Sequence, residues 1–374
     1  MPRAVRVHVV DPPAYTPPYD RSLSAALARA GADVTLVTSR FAYGDVPPAE
    51  GYAVDERFYR LGSAPPGSRR RSAARLVQHV PDMLRYRRAA READVVHFQW
   101  ATVQPIDVRL LPRDRPLVIT AHDVLPREPR PGQLSAQRRL YDRADAVVVH
   151  SHHGRERLVV DLGIPSERVH VIPHGAFDYL EHLPEEEPLP SELAEVEGPV
   201  VLFFGLLRPY KGVDVLLEAW RGIGGAELWV VGMPRLPLKT LRARATPSVR
   251  LFPRFVPEAQ VPAWFRRADL VVLPYREIDQ SGVLFTALAF GKPLLLTSVG
   301  GFPEVAESGA AELVVPGDPS ALHIALRRLL DDPGRREALA AAAREAAATT
   351  YSWDQIADRH LELYESLLRD NPRP

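Results

Sequence analysis

The chain has 374 residues, which is room for two domains with separate cores and too long for one ordinary domain. Lys and Arg total 47, as do Asp and Glu, so the zero net charge disfavours nucleic-acid binding, and 46% apolar residues exclude a disordered polymer. The absence of cysteine excludes disulfides, thiolate catalysis and Cys-bound zinc. No apolar stretch reaches the roughly 18 residues of a membrane span and no secretory leader is recognisable, so we expect a cytoplasmic protein.

Short apolar runs alternate with helical patterns in the first half of the chain. This alternation predicts βαβ units and a parallel sheet. A helix is predicted over 22–29. Strands are predicted at 5–10, 34–37, 95–98, 117–120, 146–149 and 169–172.

The apolar pattern lapses over 183–199, where Pro, Glu and Ser dominate in the manner of an interdomain connector. A second series of strands is then predicted at 200–204, 228–231, 249–252, 270–273, 294–297 and 313–315. Helices are predicted over 333–348 and from 353 to 368. We therefore predict an N-terminal domain over 1–182, a connector over 183–199, a C-terminal domain over 200–351 and a final helical segment over 352–374.

The two halves also resemble each other in sequence. Residues 143–150 read RADAVVVH and residues 267–274 read RADLVVLP. The simplest interpretation is an α/β protein of two Rossmann-like domains with parallel sheets, in which ligands bind beyond the carboxyl ends of the strands. Candidate functional residues are therefore sought at strand ends.

The clearest candidate follows the strand at 200–204, where FFGLLRPYKG leads through a loop into a helix. Gly205 lets backbone approach a ligand closely, Arg208 can hold an oxyanion with two hydrogen bonds, and Lys211 supplies a compact positive charge. This combination favours a diphosphate. A solvated loop is the structural alternative.

A second candidate is YREIDQSGV at 275–283, which follows a strand and precedes an apolar helix. The amides of Ser281, Gly282 and Val283 lie at the start of that helix, where a dipole of about half a charge favours phosphate. With Arg208 and Lys211 the positive charge comes to about two and a half, comparable to a nucleotide diphosphate. We therefore expect no metal, and no Asp-x-Asp pair that could hold one is present. A plain N-cap by Asp279 or Ser281 is compatible with this interpretation.

Four histidines end strands in the first half: His97, His122, His150 and His174. Most histidines in such places are structural hydrogen bonders, and we interpret three of them in that way. His122 is the candidate for a functional role.

A basic stretch runs from Arg69 to Arg91 among apolar residues. It can form a helix that contacts an anionic membrane or an anionic acceptor, or it can be a solvated arginine-rich face. From the sequence we prefer the solvated face, because Arg is abundant throughout the chain, and the contact with a membrane or an acceptor stays the alternative.

Standard motifs of other enzyme classes are missing. The first strand is followed by DPP and not by the Gly-x-Gly-x-x-Gly of dinucleotide-binding proteins, and no Walker loop, nucleophile elbow or His-Glu-x-x-His pair occurs. A nicotinamide dehydrogenase is therefore disfavoured.

Taken in order, several segments resemble the retaining glycosyltransferases of family four, which have the GT-B architecture of two facing Rossmann domains. The matching segments are IPHG at 172–175, FGLLRPYKG at 204–212, ADLVVLP at 268–274, AFGKP at 289–293, VGGFPE at 299–304 and YSW at 351–353. The resemblance implies a nucleotide-sugar donor in the second domain, a hydroxyl acceptor in the first, and a last helix that returns to the first domain.

By the same resemblance, Arg208 and Lys211 are the diphosphate clamp and His122 is the active-site histidine beside the donor sugar. The acceptor, which can be a small molecule, a glycan or a lipid-linked sugar, is expected to meet Gln99, Trp100 and the loop over 12–19. That loop carries Pro residues with Tyr15, Thr16 and Tyr19, in place of the Gly-rich loop of the family.

Two departures concern the donor side. The family has a pair of Glu residues eight apart, and the corresponding positions here are Ile278 and Thr286. Glu277, Asp279 or Gln280 can replace the first carboxylate, and Thr286 can bind a ribose hydroxyl. The phosphate-binding Arg commonly follows the Gly directly, at the position of Leu206, whereas Arg208 is two residues further on.

The prediction is an enzyme that transfers a sugar from a nucleotide donor to an acceptor hydroxyl, with retention and without a metal or other cofactor. The missing pair of Glu residues supports the alternative of a sugar-nucleotide-binding protein without turnover. A GT-B-fold epimerase that acts on the sugar nucleotide itself is the alternative among enzymes.

Overall fold

The computed structural model describes residues 3–42, 44, 46–61, 68–125, 131–193 and 195–370. Its contacts divide the chain into two units. The first unit contains the chain up to Gly175 together with the segment that begins at Trp353, and the second unit is Ala176–Ser352.

Each unit is built on one parallel sheet. The strands of the first are β1 Arg6–Asp11, β2 Asp33–Ser39, β3 Ala53–Phe58, β4 Val95–Phe98, β5 Leu117–Thr120, β6 Ala146–Val149 and β7 Val169–Val171. Those of the second are β8 Val200–Phe204, β9 Glu227–Val231, β10 Val249–Phe252, β11 Leu270–Leu273, β12 Leu294–Thr297 and β13 Ala311–Val314.

Helices connect these strands in both units. They are α1 Pro17–Arg29, α2 Arg69–Ala89, α3 Gln104–Leu110, α4 Gln133–Asp142, α5 His152–Leu162, α6 Val213–Ala219, α7 Leu238–Arg244, α8 Val261–Arg267, α9 Gly282–Ala289, α10 Phe302–Ala306, α11 Pro319–Asp331, α12 Pro333–Ala348 and α13 Trp353–Asp370. The predicted helix at 22–29 begins five residues earlier, because Pro17 and Pro18 fit the first turn, where their missing N–H groups need no partner.

The strand orders are β3-β2-β1-β4-β5-β6-β7 and β10-β9-β8-β11-β12-β13, and neighbouring strands pair in parallel. This confirms the prediction of two Rossmann-like domains. Strands β4, β5 and β6 are buried along their whole length, as expected of a parallel sheet covered on both faces. Sequence reasoning missed β3, whose AVDERF is charged and largely exposed because it lies at the edge of the sheet.

In each sheet the winding direction reverses beside the first strand. The reversal lies between β1 and β4 in the first unit and between β8 and β11 in the second. A ligand of a doubly wound sheet binds in the crevice outside the carboxyl ends of the two strands that flank such a point. The loops after β1, β4, β8 and β11 are therefore the places to look for function.

The boundary between the units differs from the predicted connector at 183–199. That segment belongs to the second unit, because Leu193 is buried in its core and the Gln260 side-chain amide donates to Pro188 O at 2.9 Å. The low apolar content of the segment hid these contacts.

Helix α13 returns to the first unit, as predicted, and packs against α1. Its first residue, Trp353, lies with its ring centroid 5.2 Å from that of Tyr19. Gly175 is required beneath this indole, because a Cβ there would lie 2.3 Å from a ring carbon of Trp353.

Candidate functional site

The loop after β8 brings three predicted residues of the second unit together. Gly205 has a φ of 109°, in the region that favours glycine, and a Cβ at this position would lie 3.1 Å from both Lys211 Nζ and Val283 Cγ2. Gly205, Lys211 and Val283 therefore surround one small space at the switch point of the sheet. A side chain at Gly205 would close it.

The Lys211 side chain is buried, with 7% of the residue exposed. Its ammonium donates to the Tyr275 hydroxyl at 2.9 Å and lies 4.7 Å from the centre of the Tyr275 ring. The Tyr275 oxygen is in turn 3.4 Å from Ser281 Oγ. A positive charge that is buried and oriented in this way attracts an anion more strongly than one in water.

The start of α9 faces the same loop through Val283. Ser281 stands at the N-cap position, but its side chain makes no capping hydrogen bond. The first-turn amides of a helix are potential partners for an anion, and the helix dipole adds to the charge of Lys211. The Thr286 hydroxyl donates to Gly282 O at 3.0 Å, so it could contact a ribose only as an acceptor.

The remaining donor-side predictions differ in exposure. Ile278 and Asp279 are buried, Gln280 is half-buried, and Glu277 and Arg208 are exposed. Glu277, Asp279 and Gln280 are the possible replacements for the missing first Glu, and Asp279 is the buried carboxylate among them. The exposed guanidinium of Arg208 is able to reach a ligand only from the solvent side of the loop.

The first unit carries an aromatic cluster around His122. The imidazole is stacked on Trp100, with ring centroids 5.1 Å apart and planes at 16°, and it meets the edge of Tyr19 at 4.7 Å. Tyr19 also packs against His150 and His174. His122 is partly exposed, and burial of the ring among these groups lowers its pKa well below the usual value.

A chain of hydrogen bonds fixes the tautomer of His122. His150 Nδ1 lies 3.0 Å from Ile172 O and must donate to it, because a carbonyl only accepts. Burial lowers the pKa of His150 to about 4, so at neutral pH its Nε2 carries no proton and accepts from His122 Nδ1 at 3.1 Å. His122 Nε2 is then an acceptor.

The Gln99 side-chain amide completes this chain. Gln99 Oε1 stands 3.1 Å from His122 Nε2, and the Gln99 Nε2 atom is buried without a hydrogen-bond partner among the described residues. Since amide O and N are interchangeable by rotation, and an acceptor nitrogen needs a donor, the orientation with Gln99 Nε2 toward His122 is the one that pairs His122 Nε2. The carbonyl of Ile172 thereby sets, through two imidazoles, which nitrogen of His122 carries its proton.

The loop after β1 adds the other predicted acceptor-side residues. Tyr15 is 67% exposed and packs against Trp100 at 4.8 Å, and Trp100 Nε1 donates to Thr16 Oγ1 at 2.9 Å. The structure therefore brings Tyr15, Thr16, Tyr19, Gln99 and Trp100 together around His122. They form one aromatic surface beside the switch point of the first sheet, in which Tyr15 is exposed, Thr16, Trp100 and His122 are partly exposed, and Tyr19 and Gln99 are buried.

Sequence reasoning missed two contributors and undervalued a third. Tyr275 and Trp353 received no role, and His150 was interpreted as structural although it contacts His122 directly. The sequence offered one indication for each of them: Tyr275 follows β11, Trp353 begins α13, and His150 follows β6. His97 fits the structural interpretation, since its two nitrogens pair with Tyr364 OH and Thr120 Oγ1, both at 2.7 Å.

Metal-binding clusters and membrane-spanning helices are both absent from the part of the chain that the structure describes. No group of three or more His, Cys, Asp or Glu side chains is arranged to hold a metal ion there. Likewise, none of the helices in this part of the chain has the length and apolar character of a membrane span.

Comparison with known proteins gives matches over both units. The family model of glycosyl transferases group 1 matches residues 198–332, and that of glycosyltransferase family 4 matches residues 19–176. D-inositol 3-phosphate glycosyltransferase from Xylanimonas cellulosilytica is 28% identical over 386 residues, which span 95% of this chain and 92% of that protein.

Two solved structures share the fold over nearly the whole chain. Sucrose-phosphate synthase from Thermosynechococcus elongatus has a TM-score of 0.76 and 19% identity, and the match covers 98% of this chain and 100% of that one. HepE from Anabaena, solved in complex with UDP-glucose, has a TM-score of 0.73 and 20% identity, with 96% and 99% covered. Both parallel-sheet units therefore follow the GT-B fold.

Proposed function

Because the chain belongs to the group 1 and family 4 glycosyltransferases, we propose that it transfers a sugar from a nucleoside diphosphate donor to an acceptor hydroxyl, with retained anomeric configuration and without a metal. The observation that carries this proposal is the buried Lys211 ammonium beside Gly205 and Val283. The donor binds the second unit in this proposal, and the acceptor binds the aromatic surface of the first.

The charge on the second unit matches that of a diphosphate. Lys211, the start of α9 and, from the solvent side, Arg208 supply about two and a half positive charges around the Gly205 loop. Cleavage of the sugar bond leaves additional negative charge on the diphosphate, and charges that are already in place stabilise it without reorganisation. This is why we assign no metal to the reaction.

The proposed chemistry needs no enzymic base. The bond between the anomeric carbon and the phosphate oxygen breaks, and the acceptor oxygen forms its bond to that carbon from the same face. The departing phosphate oxygen takes the acceptor proton. His122, neutral and held by Gln99 and His150, packs beside the acceptor as part of the aromatic cluster, and the buried Asp279 contacts sugar hydroxyls in place of the missing Glu.

A panel of nucleotide sugars tests the proposal. A ligand that binds only the folded state raises the apparent stability, so each compound is scored first by thermal shift. UDP-glucose is the first compound, because a solved structure of this fold holds it. The thermal shift should be present in the wild type and lost in Lys211→Met.

The second step is turnover with the donor that binds. Transfer in the presence of EDTA and an α-configured product from an α-configured donor support the proposal. A requirement for Mg²⁺ or Mn²⁺ contradicts the metal-free clamp. Binding without any product supports the non-catalytic alternative, and conversion of the donor without an acceptor supports the epimerase.

We further propose that α2 contacts an anionic membrane, where a lipid-linked acceptor would be found. The helix carries seven arginines against the single carboxylate of Asp82, which is buried. Leu76, Val77, Val80 and Leu84 are exposed on the same helix. An apolar stripe flanked by arginines is the pattern of helices that lie on anionic lipid, where each arginine contributes about 1 kcal/mol.

Vesicle sedimentation distinguishes this contact from a solvated face. The protein should bind phosphatidylglycerol vesicles at low salt and not phosphatidylcholine vesicles, and a variant with Arg70→Gln and Arg88→Gln should bind at least tenfold more weakly. The matched control is Arg242→Gln with Arg327→Gln, two exposed arginines of the second unit. The proposal is contradicted if both variants lose vesicle binding equally, or if the wild type does not bind the vesicles at all.

A further inference from the structure

Two aspartates lie buried against each other at the loop after β1. Asp11 ends β1 and is 0% exposed, and Asp20 lies in the first turn of α1 and is 1% exposed. Asp11 Oδ2 accepts from the backbone N–H groups of Tyr15 at 2.6 Å and Thr16 at 3.2 Å. The Thr16 hydroxyl lies 3.4 Å from Asp20 Oδ1 and donates to it.

One oxygen of each carboxyl group is left over. Asp11 Oδ1 and Asp20 Oδ2 are both buried and have no hydrogen-bond partner among the described residues. A buried polar atom without a partner is costly, and two neighbouring buried carboxylates cannot both be ionised. A single proton between the two groups removes both difficulties.

The surroundings indicate which group carries the proton. Burial, together with the neighbouring Asp11 charge, raises the pKa of Asp20 well above its usual value, whereas Asp11 is the one that accepts two backbone amides. Arg21 on α1 and Arg75 on α2 are the cations that act on the pair, and they do not offset the effect of burial on Asp20. The other titratable groups that interact with Asp20 are Tyr19 and Tyr52.

The pair holds the loop that carries the acceptor-side residues. Within this loop Ala14 has a φ of 52°, a strained conformation for alanine that has to be held by its surroundings. The residues held by the two carboxyl groups are Tyr15 and Thr16, which contact Trp100. Tyr19, which contacts His122, directly precedes Asp20 on α1.

We propose that Asp20 is a positioning residue, and that one proton shared between Asp20 and Asp11 at neutral pH fixes the 12–19 loop for acceptor binding. Loss of this proton leaves two buried carboxylates that repel each other, and the loop is released. The part of this inference that concerns the acceptor rests on the proposed function, whereas the shared proton does not.

Direct detection of the proton needs no turnover. With aspartate carboxyl carbons labelled with ¹³C, the wild type at neutral pH should show one protonated carboxyl signal. Asp20→Asn should remove it, because the amide donates to Asp11 without a proton to lose. Asp94→Asn is the control and should leave it, because Arg6 lowers the pKa of Asp94 through its hydrogen bonds. A spectrum of the wild type without a protonated carboxyl overturns the proposal, even where the variant does not fold.

The stability of the protein provides a second measurement. The pKa of Asp20 is raised in the folded state. The stability that its proton contributes to the folded protein is therefore complete below the usual aspartate pKa, and it is lost as the pH rises through the pKa of folded Asp20. In that interval the unfolding constant of the wild type gains a factor of about ten per pH unit relative to Asp20→Asn, for one proton. Parallel pH profiles of the two proteins contradict the shared proton.

The acceptor KM tests the positioning role. It should rise with pH in the wild type and stay flat in Asp20→Asn, while the donor KM does not change in either protein. A protonated Asp20 together with an acceptor KM that is independent of pH refutes the role in positioning and leaves the proton in place. If no acceptor is ever turned over, the proposed function fails, and the NMR result still decides about the proton.

Discussion

Replacement of Lys211 by methionine removes the charge on which the proposed donor site depends. Methionine keeps an unbranched apolar side chain that lacks only the terminal ammonium position, so the packing against Tyr275 is retained while the hydrogen bond to its hydroxyl is lost. Lys211 is 7% exposed as a residue, and its ammonium lies next to the space at Gly205. The variant therefore isolates the electrostatic contribution from the packing.

The size of the effect follows from the depth of the site. A unit charge about 4 Å from a phosphate oxygen, in a medium of effective dielectric constant about 20, contributes about 4 kcal/mol. Removal of one preorganised donor from such a site typically costs about 3 kcal/mol in the transition state. We therefore expect kcat/KM for the donor to fall by a factor of about 10² to 10³.

The measurement is steady-state transfer at saturating acceptor, with Lys239→Met as the matched control because Lys239 is an exposed lysine of the same unit. The control should retain the wild-type kcat/KM. Lys211→Arg should also be impaired, because the buried Lys211 ammonium lies only 3.1 Å from where a Cβ of Gly205 would stand, and the larger guanidinium has to displace its neighbours. Unchanged turnover in Lys211→Met, with the wild-type melting temperature, refutes the assignment of this residue to the diphosphate.

Three further predictions concern the glycine of the donor loop, the tautomer of the histidine and the acid limb of stability. Gly205→Ala should reduce donor binding at least tenfold, because the added Cβ displaces the Lys211 ammonium. Gly222→Ala is the control, because Gly222 also has a positive φ but open space around it. This control should show only the cost of backbone strain, measured in a melting curve. His150→Phe removes the acceptor for His122 Nδ1, so ¹⁵N NMR should show a mixture of His122 tautomers and kcat should fall about tenfold; an unchanged spectrum contradicts the relay. Burial lowers the pKa of seven histidines of the first unit, two of them to about 4. The stability that these neutral imidazoles contribute is therefore complete above pH about 6.5 and is lost as the pH falls toward 4. Urea unfolding of the wild type over this range should show uptake of several protons, and a flat profile contradicts neutral native imidazoles.

The sequence by itself determined the two-domain architecture and the position of the loop after β8, whose role in donor binding stays a prediction. Strands such as AVVV at β6 are apolar along their whole length because both faces of a parallel sheet are covered, and such runs are visible without any tertiary information. Gly205, Lys211 and Gly282 were predicted from local order, because a loop between a strand end and a helix start can be recognised from a few consecutive residues.

Only the tertiary structure decided which distant side chains meet. His122 and His150 are 28 residues apart and Asp11 and Asp20 are nine apart, yet each pair shares a proton or a hydrogen bond because parallel strands and the first helix bring their ends to one edge of a sheet. The same holds for Trp353, which reaches Tyr19 from the far end of the chain. Sequence patterns record burial and periodicity along one element, whereas proton positions and pKa values depend on the distances and solvent exposure that packing sets between elements.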